Sequence, residues 1–521
     1  MTPATKQRAF STRDLLLAIL SGLLLTASFP PGKFSFLAWI ALIPLFISLR
    51  DKRPRSAFKL GFIGGFFHYL TLLYWVIVVL GRYGNLHMAI SLLALLLLSL
   101  FLALYPGLFS ALASQMVGTR FSFFFMAALW VSLEFLRAHL FTGFPWCLLG
   151  YTQYERLAVI QIADLTGVYG ISFLIVLVNG LIFQSFFMKN RSLHTFLKWE
   201  WLFVALLVTG TIFYGFQKLA QKKAGKQSDP HLNAAVIQAD IDQSVKWKPS
   251  YQRKTLETYF RLSSLAAPLK PALIVWPETA LPFFYQDAPA FSSQMRHFAD
   301  RIGATLVFGS PAYERKNRRI EYYNRAYMIT PGISSAGYYD KRHLVPFGEY
   351  VPLKKYLPFL NQLVQAAGNF VSGGRQGPLM KKDLSLGVLI CFEAIFPELA
   401  RDLARDGAQV LVNITNDAWF GATSAPYQHL SMAVFRSVET GLPMIRAANT
   451  GFSAFIGPSG KILSRSALFE EAVLDQSVPF SPSPPATLYT RMGDLFAGAL
   501  LLISLLKLFY LFRMRVKRKG S

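Results

Sequence analysis

Charged residues are scarce in this chain of 521 residues. They make up 16% of it, against 53% hydrophobic residues, where soluble domains carry about a quarter. That shortage excludes an ordinary soluble protein and points to a membrane. Acidic residues are scarcer still, 28 Asp and Glu against 53 Lys and Arg, for a net charge of +25. In a soluble protein this excess would suggest nucleic acid. Here the basic residues bunch beside apolar runs, which suits anionic lipid headgroups, and no nucleic-acid partner is expected. There are only two cysteines, Cys147 and Cys391. One lies by an apolar segment and the other far away in a polar region, so a disulfide between them is disfavoured. No zinc-type Cys spacing occurs, and no Walker or Rossmann glycine fingerprint stands where it should. Neither a metal nor a nucleotide cofactor is expected. No small-residue cleavage site follows the first apolar run, 15–29, although Lys6, Arg8 and Arg13 precede it like a signal peptide. Pro30 and Pro31 lead straight into another apolar run, which implies an uncleaved first span.

What the chain has in abundance is apolar length. Aromatics reach 15%, with 46 Phe and 22 Tyr, as befits a protein facing lipid and its interface. Runs long enough to cross hydrocarbon lie near 14–29, 34–49, 57–80, 86–115, 121–140, 158–187, 199–217 and 494–512, which predicts eight helical spans. Lys and Arg in short loops set orientation. Arg50, Lys52, Arg53, Arg55 and Lys59, then Arg120, then Lys189, Arg191 and Lys198 fall in alternate loops. They share a side with the N-terminal cluster and with Arg513, Arg515, Lys517, Arg518 and Lys519 of the tail. The opposite loops hold only Lys33 and Arg82. Both termini are therefore expected in the cytoplasm. The expected organisation is a transmembrane region over 1–217, a soluble domain over 218–490 on the other side, and a C-terminal helix with a basic tail over 491–521.

The long polar region has a different grammar. Short β-branched runs at 234–238, 272–276, 305–309, 386–390, 410–414 and 444–446 alternate with helical stretches at 250–266, 291–301, 395–406 and 426–440. This alternation predicts a layered α/β domain.

Three residues there sit at or just past the end of a predicted strand. Glu278 follows Trp276 and Pro277; a carboxylate at a strand end is rigidly held while facing a cleft, and the plain alternative is an acid at a helix start. Lys341 opens the sequence Lys-Arg-His-Leu-Val-Pro-Phe-Gly-Glu-Tyr, whose plain reading is a surface basic cluster; His343 reads as a structural histidine. Cys391 stands where a strand runs into a helix near Ile395, so helix-terminus amides can face its thiol and a developing oxyanion. The plain alternative is a buried structural cysteine. Together a thiol, a carboxylate and an ammonium make a complete acyl-transfer set. Elsewhere, Glu134 and Arg137 lie three apart inside a predicted span and read as a structural pair facing the bundle interior. Lys507 is expected to snorkel, His68 and Tyr69 to pack, and Phe144 and Trp146 to anchor the interface.

The motifs around Glu278 (Trp-Pro-Glu), Lys341 and Cys391 (Ile-Cys-Phe-Glu) resemble the Glu-Lys-Cys triad of the nitrilase superfamily, whose members share an α-β-β-α sandwich. Segments 142–146, 150–153, 243–247, 413–421 and 446–451 extend the resemblance, within that superfamily, to the bacterial apolipoprotein N-acyltransferases. The resemblance implies an inner-membrane enzyme with a periplasmic catalytic domain. An acyl chain passes from a phospholipid to Cys391, then to the α-amine of the diacylglyceryl-cysteine that begins an apolipoprotein. It implies Cys391 as nucleophile, Glu278 as general base and Lys341 as stabiliser of the tetrahedral intermediate. Glu349, Glu393 and Phe392 match supporting positions, and Trp247, Trp419, Asn416 and Tyr350 match substrate-binding ones. Two positions depart from the pattern: Phe392 where relatives often carry Tyr, and Asp240 where Asn is expected. Phe420 is expected to join Trp419 along an acyl path. Rival readings are a membrane-tethered amidase that uses water and a transporter with a decayed enzyme domain.

Overall fold

The computed structural model describes residues 10–119, 121–187, 191–223, 230–316, 319–333, 335–351 and 369–519. Lys6, Arg8, Arg120 and Lys189 lie outside them, as do the side chains of Arg191, Arg515, Arg518 and Lys519. The chain forms two compact units. One comprises Met1–Tyr74, Leu92–Leu219 and Met492–Ser521; the other comprises Trp75–Ser91 and Ala220–Arg491.

The first unit is helical. Its first helix, Thr12–Ala27, opens on a capping box in which the Ser11 hydroxyl accepts from Asp14 N and the Asp14 carboxylate accepts from Ser11 N. It crosses the helix Pro54–Leu72 where both carry glycine; a methyl on Gly64 would lie 2.6 Å from the Ala18 carbonyl oxygen. Small residues admit this approach, as in membrane helix pairs. Among the described residues four helices are long and apolar enough to cross a membrane: Met88–Ala113, Val168–Phe187, Leu197–Gln221 and Leu495–Met514. The pair Pro54–Leu72 and Val76–Tyr83, bent by 53°, makes a fifth if counted as one. The count falls below the predicted eight for local reasons. The first helix has only 16 residues. The run 34–49 breaks into a 3-10 turn, Ser35–Trp39, and a short helix, Ile43–Leu49. The run 121–140 carries Glu134 and Arg137 within an 18-residue helix, Ser122–His139. Leu197–Gln221 and Leu495–Met514 bury only 17% of their most apolar stretches, an exposure of hydrocarbon that suits lipid rather than water. The chain is a membrane protein.

Inside this unit Glu134 and Arg137 both hold backbone. Glu134 Oε1 accepts from Leu149 N at 2.8 Å, and Arg137 donates to the Trp146 carbonyl at 3.3 Å. They fix the turn where Trp146 stacks on Phe144 with ring centroids 6.4 Å apart; Trp146 is buried there and does not anchor the interface as expected. His68 and Tyr69 are buried among their neighbours, and Cys147 is buried and forms no disulfide among the described residues. Lys507 lays its ammonium 4.3 Å from the centre of the Phe125 ring.

Among its described residues the second unit has twelve strands: β1 (His231–Gln238), β2 (Leu273–Val275), β3 (Thr305–Lys316), β4 (Arg319–Ile329), β5 (Gly337–Asp340), β6 (Leu379–Lys381), β7 (Leu384–Ile390), β8 (Val410–Thr415), β9 (Met444–Ala448), β10 (Ala454–Ile456), β11 (Ile462–Arg465) and β12 (Ala472–Pro479). They form two six-stranded sheets, ordered β12-β1-β2-β3-β4-β5 and β11-β10-β9-β8-β7-β6. The period-two rule of strands sorts the core. On β1, Ala234 and Val236 join β7 and β8 residues such as Val388 and Val412 between the sheets. Their neighbours Ala235 and Ile237 face Tyr259 and Phe298 of the helices Pro249–Ala266 and Pro289–Ile302. The helices Pro397–Arg405 and Ala425–Thr440 accompany the other sheet. The result is an α-β-β-α sandwich. β1, β2 and β3 are mutually parallel, as are β7, β8 and β9, so several strands deliver their C-terminal residues to one end, where open α/β sheets bind ligands.

Candidate active site

Glu278 leaves β2 through Trp276 and Pro277, and its backbone lies on Gly309 of β3. A methyl there would come within 2.7 Å of Glu278 Cα, so only glycine lets the two segments meet. The carboxylate is buried and fully engaged. Oε1 accepts from Asn324 Nδ2 at 2.8 Å and from Lys341 Nζ at 3.3 Å; Oε2 accepts from Asn416 N at 2.9 Å. Lys341, just past β5, also donates to Glu349 Oε1 at 3.0 Å, and Asn324 Nδ2 donates to the same oxygen at 2.7 Å. Glu349 Oε2 accepts from Val345 N. One ammonium thus lies between two carboxylates, with Asn324 bridging them. Burial works to discharge Lys341, but the Glu278 and Glu349 charges outweigh it and hold its pKa above the ordinary lysine value.

Cys391 follows β7 in a left-handed conformation, φ +51°, and opens the 3-10 turn Cys391–Ile395 before the helix Pro397–Arg405. The helix therefore begins two residues later than the sequence predicts, and the 3-10 turn supplies the amides beside the thiol. Burial and then the Glu278 charge push the thiol's pKa far up, and Lys341 pulls against them. At rest the sulfur is a thiol, so attack needs a base. Glu393 braces the turn: Oε2 accepts from Ile390 N at 2.7 Å, and Oε1 from Arg342 N at 2.6 Å and His343 N at 3.2 Å. Burial raises Glu393 to about 7, against the pull of those amides. Phe392 packs on Phe396, and His343 stacks on Phe396 at 3.7 Å between ring centres. Burial and then Lys341 lower His343 to about 4, so it is neutral at pH 7.

The other expected residues fall in different settings. Asn416 is buried, with Nδ2 donating to Gln243 Oε1 and Oδ1 accepting from Asn449. Trp247 is 46% exposed. Trp419 meets Tyr83 edge-on, and Phe420 meets Trp75, whose indole donates to Gln428 Oε1 at 3.1 Å. Tyr350 is half-buried and its carbonyl accepts from Phe347 N. Asp240 has φ +48°, a conformation that Asn and Asp tolerate best among non-glycine residues. Burial and nearby Glu471, Asp242 and Glu470 raise its pKa to about 6.

Three groups here are missing from the sequence reading. Asn324 stands on β4, a strand whose charged first half hides it. A buried cluster lies behind Cys391: Arg446 donates to Asp417 Oδ2 at 2.7 Å, Thr415 to Asp417 Oδ1 at 2.8 Å, and His429 Nε2 lies 3.1 Å from the Cys391 carbonyl. Burial opposes the Asp417 charge, but Arg446 and His429 hold its pKa below the usual carboxylate range. Its signal was present, since Asp417 and Arg446 lie in segments 413–421 and 446–451, which carry the family resemblance. The third group is Lys246.

The sandwich and its end-of-strand Cys, Glu and Lys define a nitrilase-type domain, and residues 233–481 match the carbon-nitrogen hydrolase family. Residues 21–181 match the apolipoprotein N-acyltransferase N-terminal domain. An apolipoprotein N-acyltransferase from Geobacter metallireducens is 45% identical over 94% of this chain and 94% of its own length. Proteins of the same name from Pasteurella multocida and Methylococcus capsulatus are 32% and 33% identical, over 94% and 92% of this chain and 94% and 93% of their own. The chain belongs to the apolipoprotein N-acyltransferase family.

Proposed function

We propose that this chain N-acylates apolipoproteins by a two-step reaction through a thioester on Cys391. Cys391 Sγ attacks the ester carbonyl of a phospholipid while Glu278 takes the thiol proton. Lys341 and the Phe392 amide stabilise the oxyanion of the tetrahedral intermediate. Collapse breaks the ester C–O bond, Glu278 returns the proton to the leaving alkoxide, and lysophospholipid departs. The α-amine of a diacylglyceryl-cysteine then attacks the thioester and loses a proton to Glu278. The C–S bond breaks, the sulfur recovers that proton, and the product is an amide. Glu349 holds Lys341, and Glu393 holds the turn that carries Cys391. Trp247, Trp419, Asn416 and Tyr350 border the substrate path. The catalytic region, 218–490, faces the periplasm of a bacterial inner membrane, transmembrane helices anchor it and both termini are cytoplasmic.

The observation that carries this reading is the closed set Glu278–Lys341–Glu349, with the Cys391 thiol in the field of both Glu278 and Lys341. Such a set splits one hard acyl transfer into two easier ones. The test is the intact mass of the purified protein after incubation with phospholipid. An acyl-sized gain, removed by hydroxylamine and absent from Cys391→Ala, is expected. No gain in the wild type, with no lysophospholipid released, would overturn the mechanism.

A further inference from the structure

The mechanism leaves one buried charge without work. Lys246 closes the short helix Gln243–Lys246, which Asp242 caps by accepting from Ser244 N at 2.8 Å. Its relative exposure is 0%. Its ammonium has three donors, and among the described residues one hydrogen bond engages them, to Thr279 Oγ1 at 3.1 Å. No carboxylate of the described residues lies within the 4.0 Å of an ion pair. A buried ammonium so poorly matched is costly. The common escape is to shed the proton, and burial does lower Lys246 from 10.5 to about 8, with the Glu278 charge pulling it back. At pH 7 it is still mostly charged.

What keeps the charge there is its neighbour. Thr279 directly follows Glu278 and sits at φ +45°, a conformation that bulky residues avoid. This bend presents its hydroxyl to Lys246 beside the candidate base. The groups facing Glu278 can be counted element by element. The short helix supplies Lys246. The segment after β5 supplies Lys341 and Glu349, the end of β7 supplies the Cys391 thiol, β4 supplies the neutral Asn324, and the end of β8 supplies the Asn416 amide. Behind the thiol, Asp417 is matched by Arg446. Without Lys246, the buried Glu278 and the partly buried Glu349 would share one ammonium, and like charges in such a site favour the uptake of a proton. With Lys246, two ammoniums face two carboxylates.

We infer that Lys246 is a positioning residue acting through Glu278: it is the second ammonium that keeps Glu278 ionised and able to receive the Cys391 proton. This rests on the reading of Glu278 as the base. The proton transfer itself is neutral in sum, since Glu278 gains what Cys391 loses while Lys246 and Lys341 stay charged.

The experiment uses the full-length protein in detergent and follows iodoacetamide alkylation of Cys391, read by peptide mass, from pH 5.5 to 9. Lys246→Met is expected to move the acid limb of the rate upward by about one pH unit, with a roughly tenfold loss at low pH that recovers toward wild type at alkaline pH. An unchanged midpoint, whether the rate falls uniformly or stays the same, overturns the inference. Should Lys246→Met not fold, Thr279→Val decides. It removes the ammonium's one partner, so a smaller shift in the same direction supports the inference and no shift overturns it. Glu278→Gln separates the two readings. Alkylation that is slow at every pH with no acid limb upholds Glu278 as base, whereas a retained wild-type limb refutes that assignment regardless of Lys246.

Discussion

Two sets of buried charge, one in each unit, are held in opposite ways. In the helical unit, Glu134 and Arg137 each grip backbone, at Leu149 N and the Trp146 carbonyl. Their charges are used to hold a loop in shape. Around Glu278 and Asp417 in the sandwich unit, charges grip one another, while Glu393 there grips backbone: Lys341 lies between Glu278 and Glu349, and Arg446 meets Asp417. A charge held by amides has few reasons to move a proton. A carboxylate held by an ammonium beside a thiol is the arrangement that the proposed proton transfer uses. The difference separates buried charge that shapes from buried charge that reacts, and the surroundings distinguish them better than burial does.

This contrast can be broken or sharpened by substitution. The largest effect is expected from Glu278→Gln, which removes the proposed base and should slow acyl-enzyme formation by about a hundred- to ten-thousand-fold, measured by single-turnover mass spectrometry with phospholipid. Asp417→Asn should come next. It leaves Arg446 buried without its carboxylate, at a cost of about 3–5 kcal/mol, read from thermal unfolding in detergent. Glu134→Ala should cost less, about 1–3 kcal/mol for the orphaned Leu149 amide. It should also leave the alkylation rate of Cys391 within about twofold, the equivalent of half a kcal/mol. If Glu134→Ala slows Cys391 as much as Glu278→Gln does, the division between shaping and reacting charges fails. The smallest effect belongs to Phe392→Tyr, because the ring packs on Phe396 and the backbone amide is kept. A change within about twofold in acyl-enzyme formation is expected; a larger gain would mean that a hydroxyl at this position takes part.

The sandwich was legible where strands are buried on both faces. β1, β2, β3, β7, β8 and β9 are short apolar runs, and each was readable as such. β4 was not, because its first half is charged and exposed, and β10, β11 and β12 are short or half-exposed. Glu278, Lys341 and Cys391 stood out because each follows a strand-like run within a recognisable motif. Asn324 did not, lying in the strand whose pattern was hidden. Lys246 did not either: it lies within segment 243–247, but nothing in that segment shows that the fold closes over its side chain. Membrane helices were legible as apolar runs, but a run does not disclose where its helix breaks. The run 34–49 holds the 3-10 turn Ser35–Trp39, and the run 57–80 bends by 53° after Leu72.

That bend has a consequence for how the protein is made. It sends Trp75 and Tyr83 onto the turn that carries Trp419 and Phe420, and Trp75 bonds to Gln428, 353 residues later in the chain. At about 5–20 residues per second, a ribosome needs roughly 20–70 seconds to make the partner. Throughout that interval the indole of Trp75 waits without its final neighbour. A sandwich expressed from residue 220 onward would meet the complementary difficulty, with its aromatic turn finished and nothing to cover it.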